Sequence, residues 1–134
     1  LNMQEKSIID VIANKGILDD RYFLDSNDKD VQITLIESEN IDYYNNTFNT
    51  KFTYLEFRRN IVTKNIKLND LVGKTIQVGN IKLKVNDLCR PCKDLQQRLG
   101  KSNIIKEFLR RGGLRCEILS SGTINVGDKI TVKT

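Results

Sequence analysis

The chain has 134 residues, a length typical of one domain with one hydrophobic core, and we take residues 1–134 as a single domain. Its 39% hydrophobic and 29% charged residues are typical of a soluble globular protein. No apolar run approaches the ~20 residues of a membrane-spanning helix. Histidine is absent, which excludes Ser–His and Cys–His catalysis and His-ligated zinc.

The cysteines indicate a reducing compartment. There are three of them, Cys89, Cys92 and Cys116, an odd number that gives no disulfide framework. The N-terminus lacks the basic, apolar and small-residue pattern of a signal peptide. We therefore expect a cytoplasmic protein that does not associate with membranes.

Positive charge is concentrated in one part of the chain. Residues 89–116 contain eight basic and two acidic residues, a net charge of +6, although the whole chain carries +5. The remainder of the chain therefore carries a net charge of −1. A basic segment of this kind predicts an anionic partner such as a phosphate group, a nucleic acid or an acidic protein, although a solvated helix face carries similar residues.

The first half of the chain predicts short elements. Residues 6–12 are apolar enough for a helix or a strand, and residues 31–36 form a β-branched strand. Ser38 is a candidate N-cap of a short helix that reaches Tyr44. The aromatic content of residues 52–57 favours a further strand.

The segment that follows carries a candidate anion-binding pair. Arg58, Arg59 and Asn60 precede the short apolar strand Ile61-Val62. If the strand includes them, Arg58 and Asn60 share one face and Arg59 points to the other. A guanidinium beside an amide is suited to a phosphate group, whereas an ordinary charged edge strand explains the same residues.

The clearest hairpin of the sequence leads into its most reactive loop. Residues 75–78 and 81–85 alternate apolar and polar side chains around the two-residue turn Gly79-Asn80. The second strand continues into Cys89-Arg90-Pro91-Cys92, where the only proline of the chain ends the strand.

Two short helices and three strands complete the predicted elements. Asp94–Leu99 is the first helix, and the second begins after Ser102 or Asn103 with Arg110 and Arg111 in its last turn. Its expected buried stripe comprises Ile104, Ile105, Phe108 and Leu109. Residues 114–119 and 124–132 predict one strand and a strand–turn–strand unit. The fold class is thus mainly β with a few short helices, at strand spacings typical of a barrel.

The Cys-x-x-Cys spacing has three chemical interpretations. A closed zinc site needs two more soft ligands, and only Cys116 remains in the chain. A thioredoxin-like redox pair needs a βαβ context, whereas a hairpin precedes this loop. The third interpretation is a single thiolate at Cys92, whose neighbours Arg90 and Lys93 lower a thiol pKa. Both loop cysteines are also consistent with small buried residues, the interpretation we adopt for Cys116.

In order and spacing, several segments together resemble the MOSC domain, the module named after the C-terminal part of molybdenum cofactor sulfurase. The matching segments are residues 16–22, 31–36, 58–62, 73–79, 89–92, 111–113 and 122–128. The resemblance implies a β-barrel similar to the barrel domain of pyruvate kinase. It also implies that Cys92 ligates molybdenum and that molybdopterin is the cofactor.

The resemblance also suggests how this cofactor is held. Relatives contact the pterin phosphate through an Arg-x-Asn element, here Arg58 and Asn60, and through an Asp-Arg-aromatic element, here Arg21. Their Lys-Ser contact has no clear match in this shorter chain, where Lys15 is the candidate. With Arg90 and Arg111 from the basic segment, these residues form our predicted cofactor-binding set.

The sequence leaves two roles open for a molybdenum-cofactor protein. One is a reductase of N-hydroxylated compounds that receives electrons from a separate protein, and the other is a carrier of a Cys92 persulfide supplied by a sulfur donor. The alternative from another class is a basic β-barrel that binds nucleic acid or another anion without catalysis. Stacking by the four Tyr and five Phe favours it, but these aromatic residues are not interleaved with the basic ones.

Overall fold

The computed structural model describes residues 8–12, 16–17, 33–90 and 93–133. This part of the chain is mainly β, as predicted, with nine strands and a few short helices. The strands are β1 (Ile8–Ile12), β2 (Gly16–Ile17), β3 (Ile33–Glu37), β4 (Ile61–Thr63), β5 (Thr75–Val78), β6 (Ile81–Leu88), β7 (Leu114–Ile118), β8 (Gly122–Asn125) and β9 (Ile130–Lys133).

The strands form two sheets. The larger is a curled half-barrel of six strands in the order β4-β3-β7-β6-β5-β9, and the smaller has three in the order β2-β1-β8. Among these described strands, only β3 and β4 pair in parallel. Strand β7 is therefore central, because it lies between β3 and β6 and is antiparallel to both.

Helical segments connect the strands of the larger sheet. The α-helices are α1 (Ser38–Phe48), α2 (Lys93–Leu99) and α3 (Ile104–Glu107), and two 3-10 turns cover Tyr54–Phe57 and Leu68–Leu71. Within the described ranges, none of these helices has both the length and the apolar character that crossing a membrane requires.

The inner face of the six-stranded sheet carries an aliphatic core, which we call the inner core. Alternate residues of each strand point into it because side chains of a strand change face at every step. On β6 these are Ile81, Leu83 and Val85, and on β7 they are Leu114 and Cys116. The hairpin of β5 and β6 is confirmed, with Gly79 at φ +59° in its turn.

The outer face of the same sheet carries a second cluster, the aromatic cluster. Ile36 of β3 packs there with Tyr44 of α1, Phe57 and Phe108. The ring centroids of Phe57 and Phe108 lie 4.9 Å apart, and those of Tyr44 and Phe108 lie 5.4 Å apart. Helices α1, α2 and α3 are therefore held against the outer face of β3.

The predicted strand at residues 52–57 is wrong. The chain forms a 3-10 turn there, and the backbone N–H of Arg58 donates to the carbonyl of Leu55. The reason is a contact that the local sequence does not show. The side-chain amide of Asn45 on α1 bonds both the N–H and the carbonyl of Phe52, which directs the following aromatic residues into the aromatic cluster.

Two helix predictions need smaller corrections. Helix α1 begins at Ser38 as a direct continuation of β3, so Glu37 is its N-cap and the helix extends beyond Tyr44 to Phe48. Helix α3 ends at Glu107, and Leu109 is 55% exposed rather than buried, because the early end of the helix takes it out of the apolar stripe.

Candidate functional site

The cysteine loop leaves the sheet at a fixed point. Strand β6 ends at Leu88, and the backbone N–H of Cys89 donates to the carbonyl of Gly113 at 2.7 Å. A Cβ on Gly112 would lie 2.3 Å from the carbonyl oxygen of Cys89. The two backbones thus pack in direct contact, and this contact sets where the loop begins.

The structure describes the residues on both sides of Pro91-Cys92. Pro91 and Cys92 lie outside the described residues, as do the predicted site residues Arg21 and Lys15. Arg90 and Lys93 are both exposed, and α2 starts at Lys93. Cys92 is therefore bracketed in the sequence by two exposed cations.

The other two cysteines are buried. Cys116 is fully buried in the inner core, and this burial, with a smaller contribution from Cys89, raises the pKa of its thiol from 9.0 to about 12. The expectation that Cys116 is a packing residue is confirmed. Cys89 is only 9% exposed. Among the described residues, no three Cys, Asp or Glu side chains lie close enough together to hold a metal ion.

Arg58 and Asn60 do not share a strand face. Arg58 is an exposed residue at φ +55° that caps the 3-10 turn, and β4 begins only at Ile61. Arg58 lines a shallow groove of about 320 Å³ with Glu56, Arg98 and Leu99. The predicted geometry of this pair is therefore wrong, because the chain turns between the two residues.

Asn60 joins β4 to β3. Its Oδ1 accepts hydrogen bonds from the backbone N–H and the hydroxyl of Thr34, at 2.8 and 3.1 Å, and its own N–H donates to that hydroxyl. These bonds fix the start of β4 against β3. Any ligand contact of Asn60 would be an addition to this structural role.

Arg59 is the residue that the sequence interpretation passed over. Its Nε donates to the carbonyl of Gly112 at 2.8 Å, and its Nη1 lies 3.4 Å from the carbonyl of Phe57. Arg59 therefore supports the backbone that packs against Cys89. The only sequence signal was the Arg-Arg pair itself, which does not say which arginine turns inward.

Arg111 lies in a different groove. Its guanidinium sits 4.4 Å from the centre of the Tyr43 ring, and its Nη1 is 3.8 Å from Glu107 Oε1. The groove, of about 320 Å³, has a lining of mixed charge: Glu37, Asn40, Lys67, Asn69, Asp70, Arg110 and Arg111. Arg58 and Arg111 thus line separate grooves.

Most described aromatic rings are not available for stacking on bases. Tyr44, Phe52, Phe57 and Phe108 pack in or against the aromatic cluster. Tyr43 is exposed but lies beneath the guanidinium of Arg111. A row of exposed aromatic side chains among basic residues, as on a single-strand-binding surface, is not present in the described ranges.

The comparison with protein families gives one match. The family model of the MOSC domain matches residues 22–131, which is most of the chain. A search of the curated proteins gives no significant sequence match.

Solved structures share the fold at low sequence identity. YiiM from Geobacillus stearothermophilus superimposes with a TM-score of 0.71 at 21% identity, covering 79% of this chain and 56% of its own. YiiM from Escherichia coli superimposes with a TM-score of 0.78 at 16% identity, covering 98% of this chain and 65% of its own. YuaD from Bacillus subtilis superimposes with a TM-score of 0.77 at 15% identity, covering 95% of this chain and 85% of its own. The chain thus spans less than two thirds of either YiiM protein.

Proposed function

Because the chain belongs to the MOSC domain family, we propose that it binds the molybdenum cofactor through the thiolate of Cys92. The observation that carries this proposal is the burial of the other two cysteines. Cys116 has a thiol pKa raised to about 12 and stays protonated at neutral pH, and Cys89 is packed at the end of the sheet. Cys92, between exposed Arg90 and Lys93, is the remaining candidate for a thiolate ligand.

The cations among the described residues fit the phosphate end of such a group. Molybdenum in a dithiolene-bearing cofactor accepts a soft thiolate ligand, and the phosphate of the cofactor needs cations. Arg58 and Arg98 line one groove beside the turn that precedes Asn60, and Arg90 is exposed at the start of the loop. We propose that Arg58, Asn60 and Arg90 hold the cofactor together with Arg21 and Lys15, whereas Arg111 lines a separate groove and would contact it only at its far end.

Two activities are compatible with this site. As a reductase, the protein would use the two-electron chemistry of molybdenum to convert an N-hydroxylated compound, two electrons and two protons into the amine or amidine and water. A separate protein must then supply the electrons. As a carrier, the Cys92 thiolate would attack the outer sulfur of a donor persulfide. A Cys92 persulfide then forms, and the donor leaves as a thiolate.

Metal analysis and intact-protein mass spectrometry test the proposal. Wild type, Cys92→Ala and the matched control Cys116→Ala are produced in a cytoplasm competent for molybdopterin synthesis. We expect molybdenum, or a 32 Da sulfur adduct that dithiothreitol removes, in wild type and Cys116→Ala but not in Cys92→Ala. Equal molybdenum and no adduct in all three proteins would refute both versions.

The same proteins distinguish the reductase role from the carrier role. Molybdenum-loaded wild type is incubated with an amidoxime and a chemically reduced viologen as electron donor. Formation of the amidine that depends on Cys92 supports the reductase. A sulfur adduct on Cys92 without amidine formation supports the carrier.

A further inference from the structure

A polar row crosses three strands on the outer face of the six-stranded sheet and ends at Asn60, just before β4. Thr34 of β3 is paired with Arg115 of β7, and Arg115 is paired with Asp87 of β6. Asn60, at the start of β4, is hydrogen-bonded to Thr34. Leu114 and Cys116 point into the inner core, so Arg115 between them points to the outer face.

A β-bulge adds one more polar residue to this row. Between the pairs Val85–Cys116 and Asp87–Arg115, β6 advances two residues while β7 advances one, so Asn86 is the extra residue. A bulge places its extra residue beside its neighbour against a single residue of the partner strand. Asn86 and Asp87 therefore both lie opposite Arg115.

This cluster holds two buried donors that lack an acceptor. Among the described residues, Nε of Arg115 and Nδ2 of Asn86 are the buried side-chain nitrogens without a hydrogen-bond partner. Leaving such a donor unpaired costs about 1–3 kcal/mol, so an acceptor for either nitrogen would stabilise the cluster.

The existing ion pair does not satisfy these donors. Nη2 of Arg115 is 3.6 Å from Oδ2 of Asp87, beyond the distance of a good hydrogen bond. The Arg115 and Asp87 side chains are 34% and 47% exposed, whereas the two unpaired nitrogens are themselves buried, so an acceptor reaches them only when these side chains move. Asp87 thus orients the guanidinium and leaves its Nε–H to another acceptor.

We propose that Asn86 and Arg115 form an oxyanion-binding subsite that takes a phosphate or carboxylate group of a small ligand. An oxyanion offers several lone pairs and can accept from both donors at once. Adjacent strands are ~4.8 Å apart, so Arg115 lies about 10 Å across the sheet from Asn60. The subsite is therefore close to a residue that we assign to the cofactor.

The proposal does not depend on molybdenum binding. A chain that retains no molybdenum can still bind phosphate at Asn86 and Arg115, and a chain that retains it can fail to do so. The oxyanion has two possible sources, the phosphate of a bound cofactor or an acidic group of a substrate, and both present the same chemistry to the two donors.

Nuclear magnetic resonance reads these two donors directly. A 15N-labelled, cofactor-free chain is titrated with inorganic phosphate and separately with acetate. The Nε–H signal of Arg115 and the amide signal of Asn86 are identified by their loss in Arg115→Gln and Asn86→Ser. The matched control is Lys82→Gln, which removes one positive charge from an exposed position of β6.

We expect both signals to shift and saturate with one dissociation constant. Loss of either donor should weaken phosphate binding about tenfold, and Lys82→Gln should change it less than about twofold. Signals that do not move in wild type, or a Lys82→Gln effect equal to that of Arg115→Gln, would overturn the proposal. If a variant misfolds, triple-resonance assignment of the two signals in the wild-type chain keeps the proposal testable.

A second titration identifies the source of the oxyanion. The chain produced in the molybdopterin-competent cytoplasm is titrated in the same way. If the bound cofactor occupies the donors, their signals are already shifted and phosphate no longer moves them. If the donors serve a substrate, phosphate binds as it does to the cofactor-free chain.

Discussion

Strand β7 and the two glycines that precede it are packed on different principles. In its interior, Cys116 and Ile118 contribute side chains to an aliphatic core. Immediately before the strand, at what we call the start of β7, two glycines bring one backbone directly against others: Gly112 against the carbonyl of Cys89, and Gly113 against the carbonyl of Leu35. The interior can be repacked by residues of similar volume. The two glycine positions have no room for a side chain, and they position the cysteine loop.

The largest loss of stability is expected for Gly113→Ala. A Cβ there would lie 1.8 Å from the carbonyl oxygen of Leu35, and the residue has φ +101°. Because a backbone atom cannot yield as a flexible side chain can, we expect a loss of about 4 kcal/mol or more in the free energy of unfolding.

Gly127→Ala is the matched control in a urea titration. Gly127 has φ +96°, but nothing lies within 4 Å of its missing Cβ. Gly127→Ala should lower the free energy of unfolding only by the conformational penalty of a positive φ, about 1–2 kcal/mol. Equal losses in the two variants would show that crowding at the start of β7 is unimportant.

The second test uses pH to probe the interior of β7. Burial raises the pKa of the Cys116 thiol from 9.0 to about 12, so the folded chain holds this proton where the unfolded chain releases it. Stability should be unaffected below pH 9 and fall between pH 9 and 12, by about 1.4 kcal/mol for each unit crossed. Unfolding in urea at several pH values measures this slope, which Cys116→Ala should reduce.

Arg59→Gln tests the start of β7 a second time, and we expect a smaller loss of stability than for Gly113→Ala. The change removes the bond from Arg59 Nε to the buried carbonyl of Gly112, and we expect a loss of about 1–3 kcal/mol. Arg58→Gln, at the exposed neighbouring position, should stay within about 0.5 kcal/mol. If the two variants behave alike in chemical denaturation, Arg59 does not support this backbone.

The smallest effect is expected just before the glycines. The Arg111 guanidinium over the Tyr43 ring is partly exposed, and such a pair contributes about 0.5–1 kcal/mol. A double-mutant cycle with Tyr43→Leu and Arg111→Gln should give a coupling energy in this range. A coupling above about 2 kcal/mol would mean that side chains also matter at this end of β7.

The local sequence predicted features whose causes are local. Alternation and the Gly79 turn gave the β5–β6 hairpin, and position in a strand gave the burial of Cys116. The turn at residues 54–57 depends on Asn45 of α1, a contact no local pattern shows. The bulge at Asn86 is a property of the pairing between β6 and β7, so the sequence did not reveal the Asn86–Arg115 cluster.

The candidate site was predictable only in part. The Cys-x-x-Cys spacing and the charge of residues 89–116 pointed to the loop, and the family resemblance selected Cys92. The strand geometry predicted for Arg58 and Asn60 failed because the chain turns at φ +55° on Arg58. Their cofactor role, and those of Cys92, Arg21, Lys15, Arg90 and Arg111, stay predictions.

The pairing of early with late strands has a consequence for biosynthesis. Ile8 of β1 is opposite Asn125 of β8, and Thr75 of β5 is opposite Lys133 of β9. The smaller sheet cannot be completed before β8 has left the ribosome, and the larger sheet cannot be completed before β9 has done so. High contact order of this kind slows folding, so nascent chains should expose unpaired strand edges and depend on chaperones during synthesis.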